Sequence, residues 1–219
     1  STNVLGTQQV LEFCRISNAK MVYISGYVYG DSSKVPIAES TPAAPKNPYS
    51  HSKWLAEELC LFYAEQYGIS CNIVRPFNVY GGQQSTDFLI PHIISQTLSK
   101  EKYIWVNDIR PSRDYIYIVD LVDAVLSVIL AQQSPTIVNV GTGFTHTVSE
   151  VIDLVQQIWG TNKIVRTRNK ERPNEISVSI ADISHIKKLT GWSPRYSLKN
   201  GLSEMFANKL ASTSTTSNT

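Results

Sequence analysis

The chain has 219 residues, 42% hydrophobic, 17% charged and 10% aromatic, which excludes a disordered, fibrous or collagen-like protein and allows one domain or two small ones. Its 20 basic and 18 acidic residues leave a formal charge of +2 with no basic cluster, which argues against nucleic-acid and membrane-surface binding. No apolar run approaches the ~18 residues of a membrane helix, and the opening STNVLGT, without an initiating Met or a secretory pattern, reads as a cut start.

From Asn3 to Ser17, Val4, Val10, Leu11 and Cys14 recur at helical spacing. The following MVYIS (21–25) has the β-branched and aromatic character of a buried parallel strand. Polar, proline-rich sequence from Asp31 to Pro48 is a loop, after which Tyr49–Tyr67 is an amphipathic helix closed by Gly68. Cys71–Arg75 is a second buried strand, stopped by Pro76. Helix Phe88–Ser99, strands Tyr103–Val106 and Tyr115–Ile118, helix Asp120–Ala131 and strand Ile137–Val140 follow. A GTG turn then leads to helix Ser149–Trp159, strand Lys163–Arg166 and helices Ile183–Leu189 and Leu198–Leu210. This alternation predicts an α/β fold with a mostly parallel sheet. The Ser/Thr-rich end, Ser212–Thr219, has nothing apolar to bury and is expected to be disordered.

Cys14, Cys60 and Cys71 are an odd set without a C-x-x-C pair, each among apolar neighbours, so they read as buried free thiols in a reducing cytoplasm. His51, His92, His146 and His185 are far apart, and no metal site is expected.

The chemistry-bearing pattern is Tyr49-Ser50-His51-Ser52-Lys53, a Y-x-x-x-K opening a helix. Positions i and i+4 share a helix face, so the ammonium can stabilise the phenolate and make Tyr49 usable as an acid or base near neutral pH. Tyr and Lys four apart are also a common surface pair. Ser25, at the carboxyl end of MVYIS, strengthens the catalytic reading, because ligands of open α/β sheets sit beyond the carboxyl ends of the strands.

Five blocks in order resemble one family: YISGYVYGD (23–31), NPYSHSKWLAEEL (47–59), IVRPFNVYGG (73–82), RDYIYIVDLVDA (113–124) and NVGTG (139–143). It is the extended short-chain dehydrogenase/reductase superfamily, with its NAD-dependent nucleotide-sugar epimerases and dehydratases, and the likeness runs to about Lys209. The resemblance implies a catalytic set of Ser25, Tyr49 and Lys53, with Asn3, Tyr49, Lys53, Pro76 and Phe77 at the cofactor. It places Ser25, Asn78, Arg113 and Arg172 at the substrate, the two arginines as bidentate partners for a diphosphate. The ERPNE stretch around Arg172 matches the family pattern more loosely than R-D-Y around Arg113.

The implied fold is a partial Rossmann domain, a doubly wound parallel sheet lacking its first strands, with a smaller C-terminal α/β substrate domain. Residues 1–78 and 114–142 belong to the NAD-binding part, 79–113 and 143–210 to the nucleotide-sugar part, and 211–219 to the tail. No G-x-x-G-x-x-G follows a strand, and GTGFTH (141–146) lies too late to replace it. At ~30 residues per βαβ unit, roughly 60 to 90 residues are expected upstream. The residue that would choose NAD over NADP is missing with them. The expectation is that these 219 residues alone bind cofactor poorly and are inactive.

Where the family's dehydratases carry an acidic pair after the Ser/Thr, this chain has Gly26 and Tyr27, which points to C4 epimerisation with NAD. The alternatives are an NAD(P)H-dependent reductase of a keto sugar or other carbonyl, and a non-catalytic regulator of the same fold. The family often dimerises through the Y-x-x-x-K helix. Leu55, Leu59 and Phe62 serve either as that homodimer face or as packing against the protomer's own sheet.

Overall fold

The computed structural model describes residues 2–32, 34–168 and 176–216, with side chains to residue 211. One wide π-type turn, Thr2–Gly6, leads into α1 (Thr7–Ser17), so the first helix starts looser than its periodicity predicts. Strand β1 (Met21–Ile24), helix α2 (Pro48–Tyr67) and strand β2 (Cys71–Pro76) follow. Helix α4 (Ile118–Leu130) and strand β7 (Thr136–Val140) complete the sheet half. Its three parallel strands run in the order β1–β2–β7, with Ile24 beside Val74 and Val74 beside Val138.

All six residues of β2 are buried, as expected of a strand covered on both faces. On one face Leu11 and Cys14 of α1 and Ala56, Cys60 and Tyr63 of α2 pack on Cys71 and Ile73. On the other, Leu121, Ala124 and Val128 of α4 pack on Val74 and Val138. Ile186 of α6 (Ser184–Thr190) and Trp192 join that second layer, although the sequence assigns their segment to the substrate part. The apolar faces decide this: both are buried only by closing under the sheet. The three cysteines are free and buried.

The second half is built on strands β3 (Asn78–Tyr80), β4 (Tyr103–Val106), β5 (Ser112–Arg113), β6 (Tyr115–Tyr117), β8 (His146–Thr147), β9 (Ile164–Thr167) and β10 (Val178–Ser179). β3 pairs with β6 and β4 with β9, both in parallel, while β5 lies between β10 and β8. Helices α3 (Leu89–Leu98), α5 (Val148–Trp159) and α7 (Leu198–Thr216) bury Ile93, Ile152 and Leu202 around Ile104. Each such fully buried aliphatic contributes about 1.5–3 kcal/mol. The pairings of β3, β5, β8 and β10 escape the sequence reading because strands of two or three residues carry no period. Helix α7 continues to Thr216, so the tail expected from Ser212 is helical in its backbone as far as that residue, extending a helix already nucleated from Leu198, and residues 217–219 lie outside the described ones.

The two halves are stitched at Asp114. Its buried carboxylate accepts hydrogen bonds from Thr142 N (2.7 Å), Thr142 Oγ1 (2.7 Å), Gly143 N (3.0 Å) and Ala181 N (3.1 Å). The GTG turn is thus a carboxylate cradle. A Cβ on Gly141 would stand 2.6 Å from both Asp114 Oδ2 and Ala181 Cβ. Among the described residues, no helix is long and apolar enough to cross a membrane.

Candidate active site

Local sequence sets each side chain at the mouth between the halves. β1 ends at Ile24, and the Ser25 amide still donates to Val74 O at 2.8 Å, which places the serine just beyond the strand's carboxyl end. Helix α2 starts at that end of the sheet. The Asn47 side chain accepts from Ser50 N at 2.8 Å, Ser50 Oγ accepts from Asn47 N at 3.4 Å, and Pro48 occupies the first turn. That cap puts Tyr49 in the first turn, 61% exposed. Past the end of β2, Phe77 N donates to Val140 O at 2.9 Å and Asn78 N to Asp114 O at 3.0 Å.

Of the predicted residues, Ser25, Tyr49, Pro76, Phe77, Asn78 and Arg113 line one cleft of about 1240 Å³. The Ser25 hydroxyl is buried and has no hydrogen-bond partner among the described residues. Asn78 Nδ2 donates to Asp114 O (3.3 Å) and Ser179 Oγ (3.4 Å), and Arg113 Nη1 to Ser112 O (3.0 Å). Arg172 lies outside the described residues.

Lys53 and Asn3 stand behind Tyr49. Lys53 Nζ donates to Ile24 O at 2.8 Å, 5.0 Å from the Tyr23 ring centroid and 6.0 Å from that of Tyr49. The ammonium expected beside the phenol is here tied to the backbone one residue before Ser25. Burial lowers its pKa below the ordinary lysine range, and the Glu57 carboxylate partly offsets this. Asn3 Nδ2 donates to Ser52 Oγ at 2.9 Å, and that hydroxyl donates to Tyr49 O at 2.8 Å, so Asn3 braces the first turn of α2.

Tyr27 forms the wall beyond Ser25. Its hydroxyl donates to Gly30 O at 2.8 Å, and its ring meets Phe77 edge-on at 5.3 Å. Burial pushes its pKa up to about 12, so at neutral pH this phenol keeps its proton. The far wall holds residues the sequence reading missed: Trp105, Asp108, Arg110 and Arg168. Arg110 grips Asp108 through Nε–Oδ1 (3.0 Å) and Nη2–Oδ2 (2.7 Å), and this guanidinium pulls the Asp108 pKa down to about 2. The available signal was the spacing of Arg110 three residues before Arg113 around Pro111.

Among the described residues no three His, Cys, Asp or Glu side chains gather at a metal-binding distance. The cleft does suit the nicotinamide end of a dinucleotide. Pro76 and Phe77 offer a flat apolar wall, and the orphaned Ser25 hydroxyl and exposed Tyr49 phenol offer polar partners beside it.

A family model described as GDP-mannose 4,6 dehydratase matches residues 1–205. A Methanocaldococcus jannaschii protein provisionally named UDP-glucose 4-epimerase is 34% identical over 206 residues, covering 91% of this chain and 66% of the relative. The chain therefore spans just under two thirds of that relative's length. RMD from Pseudomonas aeruginosa, solved with NADPH, superposes with a TM-score of 0.87 at 28% identity, covering 94% of this chain and 72% of that one. UDP-glucuronic acid 4-epimerase from Bacillus cereus, solved with UDP-glucuronic acid and NAD, gives 0.84 at 29% identity, covering 91% and 64%. With four of the five sequence blocks meeting at one cleft and a family model matched over nearly the whole length, the chain belongs to the nucleotide-sugar epimerase/dehydratase family of the extended short-chain dehydrogenase/reductases.

Proposed function

We propose that this cleft epimerises a nucleotide sugar at C4 by transient oxidation to a 4-keto sugar, with NAD as cofactor. The observation carrying this reading is the buried, unpartnered Ser25 hydroxyl sharing a cleft with the exposed Tyr49 phenol. Bound NAD supplies the acceptor, and then the donor, of the C4 hydride. Tyr49 takes the proton of the sugar 4-hydroxyl during oxidation and returns it after the sugar has turned over. Ser25 donates a hydrogen bond to the same oxygen, satisfying its own orphaned hydroxyl. Lys53, fixed on Ile24 O, holds positive charge behind Tyr49, its Nζ 6.0 Å from the phenol ring centroid. Asn78, Arg113 and Arg172 hold the diphosphate while the sugar turns, and Asn3, Pro76 and Phe77 stand on the cofactor side. Tyr27, held protonated against Gly30 O, offers no acid–base pair for water elimination.

The test incubates the complete protein with UDP-sugars carrying deuterium at C4, with NAD present. Formation of the 4-epimer with the label retained and no net NADH is expected. A dehydrated 4-keto-6-deoxy product overturns the reading. A second reading, an NADPH-dependent keto-sugar reductase, is favoured by the likeness to a protein solved with NADPH. It predicts one NADPH consumed per turnover.

The reading extends to a homodimer in the cytoplasm. Leu55 and Phe62, 40% and 51% exposed on α2, with Leu59 between them, line an apolar groove that a second α2 can fill. Three buried free thiols suit a reducing compartment.

A further inference from the structure

Behind the cleft wall lies a buried polar cluster with no part in the proposed chemistry. Glu57 and Arg75 are 1% and 5% exposed. Arg75 Nε donates to Glu57 Oε1 (3.0 Å) and Oε2 (3.1 Å), and Nη2 to Oε2 (2.5 Å). On its other side, Nη1 donates to the Tyr29 phenol oxygen at 3.0 Å. That phenol donates to Asn139 Oδ1 at 2.6 Å, and Asn139 Nδ2 to Ile37 O at 2.8 Å. One guanidinium thereby joins α2, β2, β7 and the segment after β1.

A buried ion pair adds little net stability over apolar side chains of similar volume, because desolvation offsets the attraction. Stability alone does not account for this one. What it has is reach. Glu57 is one helical turn past Lys53 on α2. At the other end the Tyr29 ring meets Tyr27 edge-on at 5.6 Å and tilts on Phe77 at 6.3 Å, and Tyr27 and Phe77 both line the cleft.

We propose that Arg75 is a positioning residue: its planar fork, held by Glu57 on one side and Tyr29 on the other, sets the Tyr27–Phe77 wall against the helix that carries Tyr49 and Lys53. The inference rests on reading the cleft as an active site. A guanidinium holds its N–H groups in fixed directions, so it transmits register where a lysine point charge does not. A displacement of about 1 Å between reacting groups costs on the order of 100-fold in rate.

The test replaces the pair in the complete protein by Glu57→Leu with Arg75→Met, and makes Tyr29→Phe separately. For the double variant we expect a melting temperature within a few degrees of wild type. Amide exchange at residues 25–31 and at Phe77 and Asn78 should quicken about tenfold or more. The kcat should fall about 10- to 100-fold while KM stays within about threefold. A folded double variant with wild-type exchange and wild-type kcat overturns the proposal, as does a joint loss of kcat and KM that merely tracks melting temperature. Should the double variant fail to fold, Tyr29→Phe decides: it keeps the ion pair and the ring but removes the phenol oxygen through which Arg75 and Asn139 hold that ring, and unchanged exchange at 25–31 overturns the proposal. Absence of nucleotide-sugar turnover in the wild-type protein would count against the functional reading alone, because the exchange comparison needs no activity.

Discussion

Lys53 Nζ donates a 2.8 Å hydrogen bond to the carbonyl of Ile24, the residue before Ser25. This contact ties helix α2, four residues after Tyr49, to the end of strand β1 beside Ser25. Lys53→Met should therefore lower turnover in the complete protein and also loosen β1. The checks are steady-state kinetics and amide exchange at Ser25 and Gly26, both expected to change together.

Tyr49→Phe removes the hydroxyl proposed to carry the proton and little else, since the side chain is 61% exposed. Turnover should fall by roughly 10²–10⁴-fold, the span of general acid–base catalysis, with thermal stability unchanged. Measuring kcat beside a melting curve distinguishes this from unfolding.

Asp114 carries more of the stability than of the chemistry. Burial raises its pKa, and the N–H groups of Thr142, Ala181 and Gly143 with the Thr142 hydroxyl counter this. Asp114→Asn turns an NH₂ toward donors that need an acceptor, and should cost about 2–4 kcal/mol in urea unfolding. Gly141→Ala should cost about 1–3 kcal/mol by the same measurement, because its Cβ enters the space of Asp114 and Ala181.

Tyr27 gives a pH signature. Its folded pKa is about 12, against the ordinary value near 10. Between those values the unfolded chain has released the proton and the folded chain still holds it, so stability is intact below pH ~10 and declines as pH rises toward 12. Absorbance at 295 nm should show a late-ionising tyrosine near pH 12 that Tyr27→Phe removes.

The apolar groove on α2 predicts an oligomer. Leu55→Lys with Phe62→Glu places charge on side chains that are 40% and 51% exposed, so the fold should survive. Sedimentation should shift from dimer to monomer, and a wild-type monomer at micromolar concentration overturns that assembly.

Much of this architecture is legible in the residues. The alternation of MVYIS, the Pro48–Gly68 helix and CNIVR is local information, since strand and helix periods and caps are written within a few positions. Tyr49 and Lys53 are legible for the same reason, four apart on one helix. The second arginine wall, Arg110 and Arg168, is not, because Arg168 reaches the cleft only through the pairing of β4 with β9.

Sequence alone determined the order of elements, the helix that presents Tyr49, and the run of motifs, because each depends on neighbours within a turn or a strand. Only the tertiary structure decided that Arg75 spends its charge on Glu57 and Tyr29, that Asp114 closes the glycine turn, and that Lys53 reaches Ile24 O rather than the phenol. Those partners lie 18 to 46 residues apart along the chain. Which buried donor meets which acceptor is settled by packing, since each must find a partner in the space the core leaves.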